Sequence, residues 1–302
     1  MVSKLEVVSS LLSCPDDGGS LSLETGGLYC PKCLRHFPVL TTGVIEILPR
    51  EPSPLPRETV SSTYREDYVK AFAQPYVDDG ASMAWGAPET MRPDWVRRRQ
   101  RQVLQTLSVL LKGAGNKTIP CDLSGGAGYY TMEYARFFNL VLHCDLSVES
   151  LDYMVHRARA RGLDNMVFLR IDYFKLPFRR SLDRVICLDT LIRGEGHERL
   201  LLQSIKGAVR PDGFALVDFH NWWHNPLRRL GLLGQTFGDN RSYTRLEAQA
   251  LLSEVGIRNW KYVPFWQEFD QDNSLRSMAL RRVLPPTRLI YQFGGRAGQH
   301  TS

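Results

Sequence analysis

The chain has 302 residues, 43% of them apolar, 10% aromatic and 23% charged, enough to bury one large core or two smaller ones and too apolar for a disordered chain. No stretch approaches 18 uninterrupted apolar residues, which excludes a bilayer-spanning helix. With 38 basic and 32 acidic residues the net charge is +6, a balance compatible with RNA, with phosphorylated substrates or with solubility alone.

The first residues, MVSKLEVVSSLLSC, look like a short leader ending in a lipoprotein-type cysteine, because Leu11, Leu12 and Ser13 precede Cys14. Glu6 lies inside the stretch that would have to be apolar, so the expectation is a cytoplasmic protein. Of the six cysteines, Cys14, Cys30 and Cys33 crowd together, while Cys121, Cys144 and Cys187 sit in apolar runs. That distribution suits a metal knuckle plus buried thiols better than a disulfide framework. Within residues 1–48, LSLETGGLYC reads as two short strands joined at Gly26-Gly27. Phe37 to Leu40 and Val44 to Leu48, flanking Thr42-Gly43, predict a second hairpin. The geometry is that of a zinc ribbon, a small β domain.

Residues 49–58, PREPSPLPRE, hold four prolines and read as a linker. The main domain then covers 59–284, followed by a tail over 285–302. Tyr64, Tyr68, Phe72 and Tyr76 recur at helical spacing. A helix starting near Asp94 carries Val96, Val103, Leu104, Leu107, Leu110 and Leu111 on one face, and Arg97, Arg98, Arg99 and Arg101 read as solvated. Beyond Gly115, strand patterns (TIPCDLS, LVLHCDLS, MVFLRID, DRVICLD, GFALVDFH) alternate with helical ones (YYTMEYARFF, SVESLDYMVHRARARG, about 197–209, RLEAQALLSEVG). This alternation predicts an α/β fold with a parallel sheet flanked by helices, and ligands at the carboxyl ends of its strands.

The first strand runs into Asp122-Leu123-Ser124-Gly125-Gly126-Ala127-Gly128, where glycines let backbone turn sharply and approach an anionic ligand. A dinucleotide fingerprint would need glycine at 124, 126 and 129, but Ser124 and Tyr129 stand there. The segment resembles the first motif of the S-adenosylmethionine-dependent methyltransferases with a Rossmann-like fold, D/E-x-G-x-G-x-G, with Asp122, Gly126 and Gly128 matching and Ser124 in place of the first glycine. The resemblance spans roughly residues 60 to 260. It implies that Asp145 accepts from the cofactor's ribose hydroxyls and that Asp172, followed by Leu176-Pro177-Phe178, lies near the adenine amine. It also implies that Asp183 to Asp189 is the fourth strand and Val209-Arg210-Pro211-Asp212-Gly213 the turn before the fifth. Leu146, Tyr173 and Asp189 complete the expected cofactor contacts. Carboxylates at successive strand ends are the acceptors that a ligand rich in hydroxyl and amine donors requires. For each aspartate singly, helix capping is the alternative.

The N-terminal unit resembles the zinc-ribbon modules fused to, or partnered with, methyltransferases, through Leu11 to Pro15 and Phe37-Pro38-Val39 to Gly43-Val44. Asp17 replaces the second cysteine of that pattern. Zinc accepts carboxylate oxygen, so Cys14, Asp17, Cys30 and Cys33 form the expected ligand set, with His36 as a substitute fourth ligand. The alternative is a metal-free ribbon held by packing.

Methyl transfer needs an aligned acceptor and, for a hydroxyl, a proton acceptor. Candidates are Asp189, with His197 a few residues on, and Asp218, His220 and His224 in the polar and aromatic cluster after the fifth strand. His220 is the first choice, because imidazole titrates near neutrality. The favoured activity is methylation of a hydroxyl or amine on a small molecule, a sugar, glycolipid or secondary metabolite, with the insertion at about 225–240 shaping the acceptor pocket. RNA base methylation is the second reading: some ribosomal RNA methyltransferases carry such a ribbon and Arg97 to Arg101 and Arg228-Arg229 would meet phosphate, but no N-P-P-Y type motif is present. A non-catalytic binding module is the third, suggested by Ser124.

Overall fold

The computed structural model describes residues 4–51 and 94–294, apart from 127, 129, 192–196, 225, 233–241 and 271 and the side chains of 94–100, 226 and 228. The expected aromatic stripe at Tyr64 to Tyr76 and most of the linker lie outside the described residues.

The chain begins with helix α1 (Lys4–Leu11), whose Val8 is buried. Three short strands follow, β1 (Ser22–Glu24), β2 (Gly27–Cys30) and β3 (Arg35–Pro38), joined as an antiparallel sheet in the order β1-β2-β3. The Gly26-Gly27 hairpin thus forms as expected. The second expected hairpin closes only at its turn, where Leu40 N–H donates to the Val44 carbonyl at 2.8 Å. Its second arm, β4 (Ile45–Ile47), instead pairs in parallel with β7 (Met166–Ile171), Ile45 opposite Leu169 and Ile47 opposite Ile171. Ile45 and Ile47 are both fully buried there; on the large sheet they gain a hydrophobic surface that a three-residue arm of the ribbon could not supply.

The other elements are α2 (Asp94–Leu111), β5 (Pro120–Leu123), α3 (Thr131–Tyr134) with a 3₁₀ turn behind it, β6 (Val141–Asp145), α4 (Val148–Ala160), β8 (Leu182–Cys187), α5 (His197–Ala208), β9 (Val209–Asn221), α6 (Pro226–Arg229), β10 (Ser242–Tyr243), α7 (Arg245–Glu254), β11 (Trp260–Phe265), α8 (Leu275–Val283) and β12 (Arg288–Phe293). The large sheet runs β11-β12-β9-β8-β5-β6-β7-β4, with β10 joined to the end of β9. The strands from β4 to β9 are parallel, and β12 enters antiparallel between β9 and β11.

The expected tail over 285–302 contains β12, with Leu289, Ile290, Tyr291 and Phe293 buried; a short, nearly continuous buried run between two neighbouring strands is too brief to stand out in the sequence. On α2, Val103, Leu107 and Leu110 are buried but Leu104 points outward, 65% exposed, because it lies about 100° around the helix from Val103. Arg101 is not simply solvated either: it donates to Asp270 at 2.7 Å and to the Gln267 carbonyl at 3.0 Å.

The ribbon and the sheet share one core, in which Val8, Leu12, Leu28 and Phe37 are continuous with Ile45, Leu169, Ile171 and Phe178. Polar ties reinforce the seam: Arg170 to Glu46 at 2.6 Å, Ser13 N–H to the Pro177 carbonyl at 2.8 Å and Ser181 Oγ to the Leu11 carbonyl at 2.6 Å. The segment read as leader-like is therefore a packed helix of this body. Among the described residues no helix is long and apolar enough to cross a membrane.

Candidate active site and metal centre

At the carboxyl end of β5 the backbone takes positive φ at every second residue, Ser124 (+59°), Gly126 (+50°) and Gly128 (+73°). At Gly128 the left-handed conformation favours glycine, and a Cβ there would also push aside the flexible end of Met154, 2.1 Å away. Ser124 follows the same turn despite its side chain, and the substitution noted in the motif leaves the backbone path in place.

Asp122 is buried beneath this turn. Burial pushes its carboxyl up to about 7, against the opposing hydrogen bond from Thr131. The same Thr131 hydroxyl lies 2.7 Å from His143 Nδ1, and His143 Nε2 lies 3.2 Å from the Gly126 carbonyl. Burial holds His143 down to about 4, so at neutral pH it is an uncharged member of the network. Asp122 thus shapes the glycine turn from within.

Asp145, at the end of β6, accepts from Gly126 N–H at 2.9 Å, Ser147 N–H at 2.9 Å and Tyr173 Oη at 3.1 Å. The helix cap after it is supplied by Ser147, which accepts from Ser150 N–H, so Asp145 is not the side chain that caps α4. Burial raises its carboxyl. Tyr173 Oη, which also accepts from Leu146 N–H at 2.9 Å, places a hydroxyl donor on Asp145, the chemistry that a ribose hydroxyl presents. The donor set therefore fits the cofactor that the sequence implies. Asp172, also buried, accepts from Phe174 N–H at 2.9 Å in a tight turn after β7. These residues gather around one end of β5, β6 and β7.

The carboxyl ends of β8 and β9 hold a second cluster. Asp218, fully buried on β9, accepts from Asp189 N–H at 2.7 Å and from Gln102 Nε2 on α2 at 3.3 Å. Asp189 follows β8 with φ +60°. Arg288, at the start of β12 and paired in register with His220, reaches both carboxylates, Asp189 at 2.5 Å and Asp218 at 3.2 Å. His220 Nε2 lies 3.6 Å from Asp189. Beside them, His224 Nε2 lies 3.2 Å from Glu268, whose other oxygen accepts from Thr287 at 2.8 Å. Burial alone would raise the Glu268 carboxyl, but these bonds outweigh it and hold it below its usual value.

Of the candidates named from the sequence, the structure brings Asp189, Asp218 and His220 into one cluster and sets His224 on Glu268 beside it; Arg288, Gln102, Glu268, Thr131 and His143 were not among them. Arg288 was hidden in the supposed tail, and Gln102 is a polar residue on a helix face read as apolar. Glu268 follows a strand that was not singled out. His197 packs on Phe174, ring centroids 6.1 Å apart.

In the ribbon, one donor atom from each of Cys14, Asp17, Cys30 and Cys33 lies within 4.8 Å of all the others. Cys14 and Cys33 sulfurs are 3.6 Å apart, as are Cys30 sulfur and both Asp17 oxygens. A tetrahedral zinc with ~2.3 Å bonds to sulfur and ~2.0 Å to oxygen places its ligands at about these separations, so the residues present fit the ion. His36 is exposed on β3 and lies outside this group.

Residues 121–213 match the family model described as a methyltransferase domain, and residues 8–39 match the model described as a Trm112p-like protein. The chain thus carries a methyltransferase domain behind a Trm112p-like module. A solved complex between the Haloferax volcanii Trm112 methyltransferase activator and a candidate methyltransferase is 15% identical, with TM-score 0.51 over 74% of this chain and 97% of that one. Magnesium protoporphyrin IX methyltransferase from Synechocystis, solved with bound SAH, is 16% identical, with TM-score 0.49 over 78% and 96%. A SAM-dependent methyltransferase from Aquifex aeolicus is 17% identical, with TM-score 0.42 over 62% and 87%. At these identities the likeness is one of fold. No curated protein matches the chain.

Proposed function

We propose that this methyltransferase modifies a hydroxyl or amine of a small molecule, a sugar, glycolipid or secondary metabolite, with His220 as the proton acceptor. The observation that carries the reading is the His220–Asp189–Arg288 arrangement at the carboxyl ends of β8 and β9. Asp145, Asp172 and the turn carrying Ser124, Gly126 and Gly128 would hold S-adenosylmethionine, which when bound would supply a sulfonium-activated methyl carbon to the acceptor's lone pair as its carbon–sulfur bond breaks. The acceptor's proton passes to the other imidazole nitrogen of His220, Nδ1, because Nε2 is the one turned toward Asp189. Asp189, anchored by Arg288, stabilises the imidazolium that results. His220, about one-third exposed, is accessible to an acceptor, and Asp218 holds the Asp189 backbone in its turn.

In this reading Cys14, Asp17, Cys30 and Cys33 hold a structural zinc, which would staple the loops that β2 and β3 leave open. RNA is the second acceptor class, on the basic stretches named in the sequence; the match of residues 8–39 to a Trm112p-like protein, with a solved Haloferax volcanii complex of a Trm112 methyltransferase activator and a methyltransferase among the similar folds, favours a module that supports the methyltransferase domain. The test is S-adenosylhomocysteine formation with a panel of small hydroxyl and amine acceptors and with RNA. His220→Ala is expected to lower turnover of the true acceptor by about 10²-fold, with cofactor affinity unchanged within about twofold. Retained turnover would remove His220 from this role and leave the His224–Glu268 pair to fill it.

A further inference from the structure

Two segments leave the sheet at its acceptor end. Residues 222–232 follow β9 directly and contain α6. Residues 266–287 connect β11 to β12 and contain α8. They are tied together at their base, where Asn221 Nδ2 donates to the Pro286 carbonyl at 2.7 Å, Asn221 N–H donates to the Thr287 carbonyl at 3.1 Å and His224 meets Glu268. They therefore frame the Asp189–His220 cluster.

Their outer surfaces are apolar. On α8 only Ser277 is buried; Leu275 is 85% exposed, Val283 74% and Met278 43%. At about 100° per residue, Met278, Arg282, Leu275, Ala279, Val283 and Arg276 fall on one arc of about 160°. In the other segment Leu230 is 71% exposed and Leu232 69%, with Trp223 and Leu227 about half exposed. Neither 222–232 nor 275–284 contains an acidic residue, while together they hold five arginines. Folding gains nothing from leaving these side chains in water.

We propose that this face docks on an anionic lipid bilayer. Exposed apolar side chains on α8 and in residues 223–232, with arginines in the same stretches and Trp223 among them, make the pattern of segments that lie in a membrane interface. A folded acidic protein would need a surface that accommodates each projecting leucine, whereas acyl chains accommodate them without one. Glu268, Asp270 and Asp272 in the same connection are engaged by His224, Arg101 and Ser274, so the charges on the two apolar stretches themselves are all arginine and favour anionic headgroups. Docking brings the acceptor end of the sheet to headgroup level; the corollary that the acceptor is itself a lipid rests on the proposed function, but docking does not.

Co-sedimentation with vesicles tests it directly. The chain is expected to pellet with phosphatidylcholine vesicles that contain phosphatidylglycerol, and less with phosphatidylcholine alone, with binding weakened by salt. Leu275→Asp combined with Val283→Asp, at sites too exposed to disturb the fold, is expected to lower the partition at least ~10-fold. Arg276→Ala with Arg282→Ala should weaken binding to the anionic vesicles only. Absence of binding, or equal binding by the aspartate variant, overturns the proposal. So does self-association in sedimentation equilibrium that Leu275→Asp abolishes while vesicles fail to bind, which would make the face a contact with a second copy. Absence of vesicle binding by a protein that turns over a soluble acceptor would overturn the docking proposal with its lipid corollary and leave the methyltransferase reading intact.

Discussion

At the cofactor end, over β5 to β7, the buried carboxylates Asp122 and Asp145 are met by neutral donors: a threonine hydroxyl, a tyrosine hydroxyl and backbone N–H groups within the adjoining turns. At the acceptor end, over β8, β9 and β12, Asp189 and Asp218 are met by a guanidinium drawn from 70 residues further along the chain than Asp218. Neutral donors leave a buried carboxyl costly to ionise, and burial prevails at Asp122 and Asp145. A guanidinium balances charge with charge, so the acceptor end depends on one side chain that the cofactor end has no counterpart for.

Arg288→Met breaks that contrast most severely. It strands two carboxylates, one of them fully buried, and is expected to cost about 3 to 5 kcal/mol, read by urea denaturation at pH 7. A loss below about 1 kcal/mol would mean that the carboxylates relax into water and that the two ends are held alike.

The neutral end has a pH signature of its own. Asp122, raised to about 7, keeps a proton that the unfolded chain releases above about 4; its contribution is present below that pH and is lost as pH rises to 7. His143, lowered to about 4, stays neutral while the unfolded chain protonates below about 6.5; its contribution is present above 6.5 and is lost as pH falls to 4. The two slopes oppose each other within one hydrogen-bonded trio. Asp122→Asn removes the first and leaves the second, so from pH 4 to 6.5 the variant should gain on the parent by about 3 kcal/mol, at ~1.4 kcal/mol per pKa unit. Parallel pH profiles for variant and parent would place Asp122 in contact with water.

Asp145→Ala probes the same end through its ligand. Loss of a buried acceptor should weaken S-adenosylmethionine binding by about 1 to 3 kcal/mol in calorimetric titration, with α4 still capped by Ser147. An unchanged dissociation constant would leave Asp145 with Gly126, Ser147 and Tyr173 as its only partners.

The same contrast explains what could be read from the sequence. At the proposed cofactor end, strand, turn and carboxylate follow one another within a few residues, so the motif around Asp122, Gly126 and Gly128 made the fold legible and named a candidate site, as did the Gly26-Gly27 hairpin with its cysteines. Asp218 and His220 were visible because they end an apolar strand. Their partners were not: Arg288 reaches them only because β12 inserts antiparallel between β9 and β11, and Gln102 only because α2 packs on that face of the sheet. The departure of β4 from the ribbon to β7 was hidden for the same reason, since strand pairing across 120 residues leaves no local trace. Ser124 is the opposite case, a local departure from the motif that the backbone absorbs.

Ser124 therefore supplies the smallest and sharpest test. A residue with a side chain at φ +59° pays about 1 to 2 kcal/mol for the left-handed conformation. Glycine would release that strain but loses about 0.4 to 1 kcal/mol through the larger freedom of its unfolded chain. Ser124→Gly should then stabilise the protein by about 0.5 to 1 kcal/mol, and because the turn keeps the same path, S-adenosylmethionine affinity should stay within about twofold. If the glycine variant instead bound the cofactor about tenfold more tightly, the serine side chain would itself obstruct the site, and the cofactor end would be less complete than its hydrogen bonds indicate.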